Sequence, residues 1–323
     1  MAEITVEKLF HARKKDLELT LVCGGEEGMK RPITTPETHR PGLALAGYLE
    51  RFPHRRIQVL GETEMAFMST LSTEHLRAAS RHVMSAGVPL IVISKGIAPP
   101  PEFAEEADRS RIAVFSSRLT TAELVTRLAA YLDSVFAPST NIHGTLVDVY
   151  GVGLLYTGRS GIGKSEVALD LVERGHRLVA DDVCKVTRVS PDVLIGISSE
   201  LLGHHMEIRG VGIIDVEGLF GIRAIRLQKR IEVEVRLTLW SDDEEYERLG
   251  VEEQTTSILG VKIPILYVPI SPGKNITVIS EVIAMNHMLK VYGENSALEL
   301  SKKLAQRLSR QSITQDYLES DFE

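Results

Sequence analysis

Between residues 152 and 172 the chain passes from an apolar run through a glycine-rich turn into an amphipathic segment. The turn, Gly158-Arg159-Ser160-Gly161-Ile162-Gly163-Lys164-Ser165, fills every fixed position of the pattern G-x-x-x-x-G-K-[ST]. Few features constrain a fold so strongly, because the pattern needs a strand before it and a helix after it. Val152-Gly153-Leu154-Leu155-Tyr156-Thr157 supplies an apolar strand, and Val167, Ala168, Leu171 and Val172 recur at helical spacing. Glycines let successive N–H groups face one concavity, and the N-terminus of the following helix adds partial positive charge there. Lys164 is then placed to neutralise terminal phosphates and the Ser165 hydroxyl to ligate Mg2+. The bland alternative is a turn that binds nothing; a full match in strand-to-helix context weighs against it.

The rest of the composition narrows what surrounds this nucleotide site. A chain of 323 residues, 43% hydrophobic and 25% charged, is expected to form two soluble globular domains. A net charge of -7 argues against a nucleic-acid binder held by a basic face. Cys23 and Cys184 lack metal-ligand spacing and read as reduced thiols. The first residues carry no basic and apolar leader pattern, and no apolar run approaches the roughly 18 residues of a membrane span, so the expected location is the cytoplasm, with no membrane attachment.

Residues 1–133 read as a small α/β domain, with strands at Leu17–Cys23, Ile57–Leu60, Pro89–Ser94 and Ile112–Phe115 alternating with helical patterns near 43–51, 73–86 and 120–135. Gly24-Gly25 is taken as a plain loop, and Ala98-Pro99-Pro100-Pro101 as a stiff extended one. Polar turn formers around Ala137-Pro138-Ser139-Thr140-Asn141 mark the joint to a second domain at 134–323.

There, His143-Gly144 precedes the strand Thr145–Tyr150, and on these residues alone His143 is either structural or an acid–base group. After the loop helix ends near Gly175, Leu178-Val179-Ala180 leads to Asp181-Asp182. A carboxylate at such a strand end can hold a metal or accept the proton of an attacking hydroxyl. Neighbours on a regular strand point to opposite faces, so one of the two should face the phosphates. Strands are expected at Val183–Val189 and Ile231–Leu239. Segment Met206–Asp215 mixes Glu207 and Arg209 with glycines and aliphatics, and fits either a packed loop or a metal and phosphate contact. The run Asp242–Glu247 reads as a solvated face ending at Arg248. Val268–Asn275 is expected to turn, Ile276–Ile279 to form a strand, and 281–291 and 296–311 to form helices.

Taken together, His143-Gly144, the phosphate loop followed by Glu166, Arg174–Asp182, Glu207–Ile214, Arg248-Leu249-Gly250, Pro272–Asn275 and Glu281–Asn286 resemble the bacterial HPr kinase/phosphorylase family over both domains. The resemblance implies a small N-terminal α/β domain and a C-terminal phosphate-loop kinase domain with a mixed, largely β core and a carboxykinase-type nucleotide site. It also implies a bifunctional cytoplasmic homohexamer. Such an enzyme phosphorylates a serine of the carrier protein HPr with ATP or pyrophosphate, and removes that phosphate with inorganic phosphate, releasing pyrophosphate. By the same resemblance Gly158 to Ser165 bind the donor and Ser165 and Glu207 ligate Mg2+. Asp182 exchanges the serine proton, His143, Lys164 and Arg248 complete the catalytic set, segment 206–215 serves both directions, and 269–274 serves mainly dephosphorylation. Arg159 stands where the family often carries an acidic residue, and its added charge bears on the choice among ATP, pyrophosphate and phosphate. Another phosphate-loop kinase acting on a small molecule, or a nucleotide-dependent switch, is the alternative function.

Overall fold

A computed structural model describes residues 3–199, 203–240, 254–271, 273–299 and 302–303. The chain forms two compact units, Met1–Ala137 and Pro138–Glu323. In the first, β1 (Ile4–Thr5), α1 (Val6–Arg13), β2 (Leu19–Cys23), α2 (Gly25–Met29), β3 (Pro32–Ile33), β4 (Thr38–His39) and α3 (Gly42–Leu45) come first. They are followed by β5 (Ile57–Leu60), α4 (Glu62–Ser69), α5 (Thr73–Ser85), β6 (Leu90–Ile93), α6 (Pro101–Ser110), β7 (Ala113–Ser117) and α7 (Thr121–Phe136).

Its five-stranded sheet has the order β2-β7-β6-β5-β4, parallel except for β2. Every residue of β5 and β6 is buried, as their unbroken apolar runs require, because helices cover both faces. Leu9, Leu124 and Leu128 of α1 and α7 pack on one face, and Leu45, Met68 and Phe103 of α3, α4 and α6 on the other. The helix expected over 43–51 closes after Leu45, where the chain turns through Gly47 at φ 100°. The extended proline stretch ends at Pro101, which opens α6 at the one helical position where a missing N–H costs nothing. Gly25, taken as loop, begins α2.

In the second unit β8 (Ser139–His143), β9 (Thr145–Val149), β10 (Val152–Thr157), α8 (Lys164–Glu173), β11 (Arg177–Ala180), β12 (Val183–Ser190) and β13 (Val193–Ser198) come first. The hairpin β14 (His205–Ile208) and β15 (Gly212–Asp215) follows, then α9 (Val216–Phe220) and a short turn at Ile222–Ala224. The unit continues with β16 (Gln228–Arg230), β17 (Val233–Leu239), β18 (Thr255–Ile258), β19 (Val261–Ile270) and α10 (Ile276–Val291).

Six strands in the order β11-β9-β10-β17-β19-β18 make one sheet, with β10, β17 and β19 mutually parallel. Four in the order β16-β13-β12-β8 make another. Leu146 and Leu155 of the larger sheet and Cys184, Val186 and Leu194 of the smaller share one apolar core, while α8 and α10 bury Leu171 and Ala284 in a core with Tyr156 and Val235.

Among the described strands the chain passes between these two sheets three times, the last from β16 to β17. It steps from β8 to β9 at Gly144 and from β11 to β12 at Asp181-Asp182, and the two corners lie side by side. The Gly144 amide donates to the Asp182 carbonyl at 3.0 Å and His143 pairs with Val183. Gly144 is obligatory there, since a Cβ would come within 2.5 Å of the Tyr156 carbonyl oxygen.

One expectation is overturned outright. Ile276–Ile279 is not a strand but the first turn of α10, capped by Asn275, whose side chain accepts from the Val278 amide at 3.0 Å. A short apolar run fits a buried helix as well as a strand, and the cap decides between them.

Farther along α10, Glu281 is buried and accepts from Arg174 at 2.8 and 2.6 Å, with His176 Nε2 at 3.1 Å, tying α10 to the end of α8. The Arg174 bond, outweighing the opposing effect of burial and aided by His176, holds the Glu281 carboxyl down at about 2. Its stabilisation is therefore complete above the ordinary value of 4.5 and is lost as pH falls toward about 2. Glu281→Gln is expected to cost on the order of 2 kcal/mol at pH 7, roughly a 5 °C drop in Tm, and to flatten the acid limb of the stability curve. Thermal melts from pH 2 to 7 check this.

Candidate functional site

Strand β10, buried from Val152 to Tyr156, delivers the loop Gly158–Gly163 to the start of α8, with Gly163 as N-cap. The first-turn N–H groups of α8 therefore face the loop concavity, where an anion is stabilised by the helix end. Gly161 takes φ 74°, and a Cβ on it would lie 2.1 Å from Nη2 of Arg209. Lys164, 7% exposed, folds back over the loop and donates to the carbonyls of Gly158 and Arg159 at 3.4 and 3.2 Å. Neutral carbonyls hold an ammonium less strongly than a phosphate would. Arg159 itself is exposed at the rim.

The two aspartates after β11 are in unlike surroundings. Asp181, 3% exposed, accepts from Thr145 at 2.6 Å and from Ser165 at 2.9 and 3.0 Å. Burial raises its carboxyl above the ordinary range, against the lowering pull of those two hydroxyls. Asp182 turns outward at φ 61°, its side chain 62% exposed and Oδ1 3.1 Å from Nδ1 of His143. Because β11 ends at Ala180, strand alternation does not govern the pair; the sheet-changing corner does.

The third wall is the β14–β15 hairpin. Met206 and Ile208 point into the core while Glu207 and Arg209, two residues apart, line the cavity. The segment is thus a strand hairpin that puts both charged residues on the cavity, with Arg209 against Gly161 of the loop. A cavity of about 250 Å³ brings together His143, Lys164, Ser165, Asp181, Asp182 and Glu207. Arg248 lies outside the described residues, as do Pro272 and the acidic run Asp242–Glu247, and the helix expected over 296–311 is described only in part.

The hydroxyl of Ser165 and the carboxylates of Asp181 and Glu207 are all hard oxygen donors. Among the described residues no three His, Cys, Asp or Glu side chains assemble into a metal cluster. Such a donor set suits a hard cation held by one or two carboxylates and completed by substrate oxygens and water, and it would offset the charge buried on Asp181. Asp181, Thr145 and Arg209 carry contacts that the sequence left unassigned. The signal for Arg209 was present in the i, i+2 spacing from Glu207 between buried Met206 and Ile208.

The family model described as HPr Serine kinase N terminus matches residues 4–132, and that of the HPr Serine kinase C-terminal domain matches residues 134–304. This chain belongs to the HPr kinase/phosphorylase family. Among curated members, the HPr kinase/phosphorylase of Geobacillus thermodenitrificans is 47% identical over 297 residues, covering 91% of this chain and 96% of that protein. That of Bacillus subtilis is 45% identical over 284 residues, covering 88% and 92%. That of Prosthecochloris aestuarii is 42% identical over 327 residues, covering 99% and 96%. A solved structure, the Hpr(Ser) kinase/phosphatase from Coxiella burnetii, aligns at 33% identity and a TM-score of 0.45 over 50% of this chain and 98% of that one.

Proposed function

We propose that this chain transfers a phosphoryl group from ATP or pyrophosphate to a serine of HPr, and removes it with inorganic phosphate to give pyrophosphate. The observation that carries this reading is the solvent-facing His143–Asp182 pair at the mouth of the phosphate loop. A buried base would serve a small substrate; one 62% exposed can be reached by a serine on another protein. A pure nucleotide switch needs the loop but no such base.

In the forward direction the serine Oγ attacks the terminal phosphorus, its proton passes to Asp182, and the bond to the bridging oxygen breaks, releasing ADP or phosphate. In reverse a phosphate oxygen attacks the phosphoserine phosphorus, the bond to serine breaks, and protonated Asp182 returns the proton to Oγ. Lys164 and the α8 N-terminus hold the donor phosphates, and His143 orients the Asp182 carboxylate. Ser165, Asp181 and Glu207 are the residues that would hold Mg2+, which, when bound, neutralises phosphate charge. Arg248 completes the set on the family pattern.

The same reading includes a hexamer in the cytoplasm. Assembly is supported by the outward apolar positions Val278, Val282, Met285 and Leu289 on α10, since clustered exposed apolar residues mark interfaces. No described helix is long and apolar enough to cross a membrane.

The test is to incubate the protein with Mg-ATP and HPr, either wild type or with its target serine changed to alanine, and then to add phosphate. Labelling that needs the serine, followed by pyrophosphate release, is the expected result; no labelling of any HPr from the same cell overturns the reading.

A further inference from the structure

One buried hydroxyl in the cavity is not among the groups that would hold phosphate or cation. Thr145, fully buried at the start of β9, donates to Oδ1 of Asp181 at 2.6 Å. The contact depends on an irregularity in the adjoining ladder. Leu178 pairs with Val147 but Ala180 with Leu146, so β11 carries one extra residue, Val179. One step past Ala180, Asp181 then falls opposite Thr145, where an unbroken register would put Ala180 itself. A bulge beside a site re-aims a side chain in this way. Ser165 reaches both oxygens of the same carboxylate, at 3.0 Å from Oδ1 and 2.9 Å from Oδ2. Of the two hydroxyls, only that of Ser165 touches Oδ2.

We infer that Thr145 is a positioning residue that favours Mg2+ over Ca2+, on the reading that Ser165, Asp181 and Glu207 hold the cation. Its short bond keeps Oδ1 occupied and fixes the plane of the carboxylate, so that Asp181 turns Oδ2 alone to the cation, directly or through a water. Mg2+ demands a near-octahedral set of single oxygens and keeps several waters, whereas Ca2+ takes more ligands and accepts both oxygens of one carboxylate. A carboxylate held by one oxygen therefore suits the smaller ion and denies the larger one a ligand. Thr145 acts through Asp181, and outer partners of this kind are worth about 10- to 100-fold in metal affinity.

Thr145→Val keeps about the size of the side chain and removes the bond. Mn2+ is bound to the full-length, nucleotide-free protein, and Mg2+ and Ca2+ are titrated in separately. Their Kd values follow from the EPR signal of the Mn2+ they release. In the variant Mg2+ affinity is expected to fall about tenfold or more, while Ca2+ affinity falls by no more than about twofold. Thr145→Ser keeps the hydroxyl and should hold both constants within about twofold of wild type. Thr145→Ala, with the same expected pattern as valine, serves should the valine variant fail to fold. An unchanged ratio of the two constants, or a serine variant that behaves like valine, overturns the assignment to Thr145 and leaves the cation site standing. If Mg2+ releases no Mn2+ from wild type, the cation reading itself fails, and the assignment with it.

Discussion

Asp182→Asn is expected to slow phosphoryl transfer in both directions by about 10²- to 10⁴-fold, the range that a general acid–base group supplies, and to leave ATP affinity nearly unchanged. Asparagine keeps the size of the side chain and an oxygen facing His143, but it takes no proton from serine and returns none. Affinity should survive because the donor contacts belong to Lys164 and the loop, whereas Asp182 sits on the corner opposite. Single-turnover transfer to HPr, with calorimetric ATP binding on the same samples, checks the split. If binding is lost while bound nucleotide still reacts at the wild-type rate, the two aspartates have exchanged roles.

Asp181→Asn should raise the stability of the metal-free protein at neutral pH. Burial raises the Asp181 carboxyl above its ordinary 3.8, so the folded state holds a proton the unfolded state gives up. The contribution of Asp181 to wild-type stability therefore falls as pH rises from about that ordinary value through the raised one, and the cost is carried in full once Asp181 is ionised. Asparagine does not titrate. In metal-free protein the variant should be the more stable above that window, by about 1 kcal/mol or a few degrees in Tm, with no difference below it. The same variant should lose about 10²-fold in activity with Mg-ATP, because a carboxylate beside Ser165 is gone. Melts in chelator from pH 3 to 8 test the first half. A variant less stable than wild type at neutral pH would mean that the Thr145 and Ser165 hydrogen bonds outweigh burial.

These two neighbours also show where a sequence stops being readable. The phosphate loop was legible because its glycines, lysine and serine must fall at fixed spacing for the backbone to curl around an anion. Strands β5 and β6 were legible because a parallel strand buried on both faces is apolar throughout. The choice between Asp181 and Asp182 was not, since it depends on β11 ending at Ala180 and on a left-handed residue at the step between sheets. Both are tertiary facts. The start of α10 was misread because four apolar residues have no period long enough to distinguish helix from strand, and Asn275 carried the deciding hydrogen bond. Arg209 went unassigned because its neighbour, Gly161, lies far away in sequence and meets it only once the hairpin has folded.

The side-by-side corners at Gly144 and Asp182 have a mechanical meaning. The phosphate cradle hangs from the larger sheet, while His143 and Asp182 are fixed where the chain enters or leaves the smaller one. The reach of the base toward the donor is therefore an angle between two plates, tied at this corner by the backbone bond from Gly144 to Asp182. Substitutions that tilt β12 or β13 against the larger sheet should alter turnover and leave nucleotide affinity alone, so that the enzyme can be tuned in rate by residues that touch neither substrate.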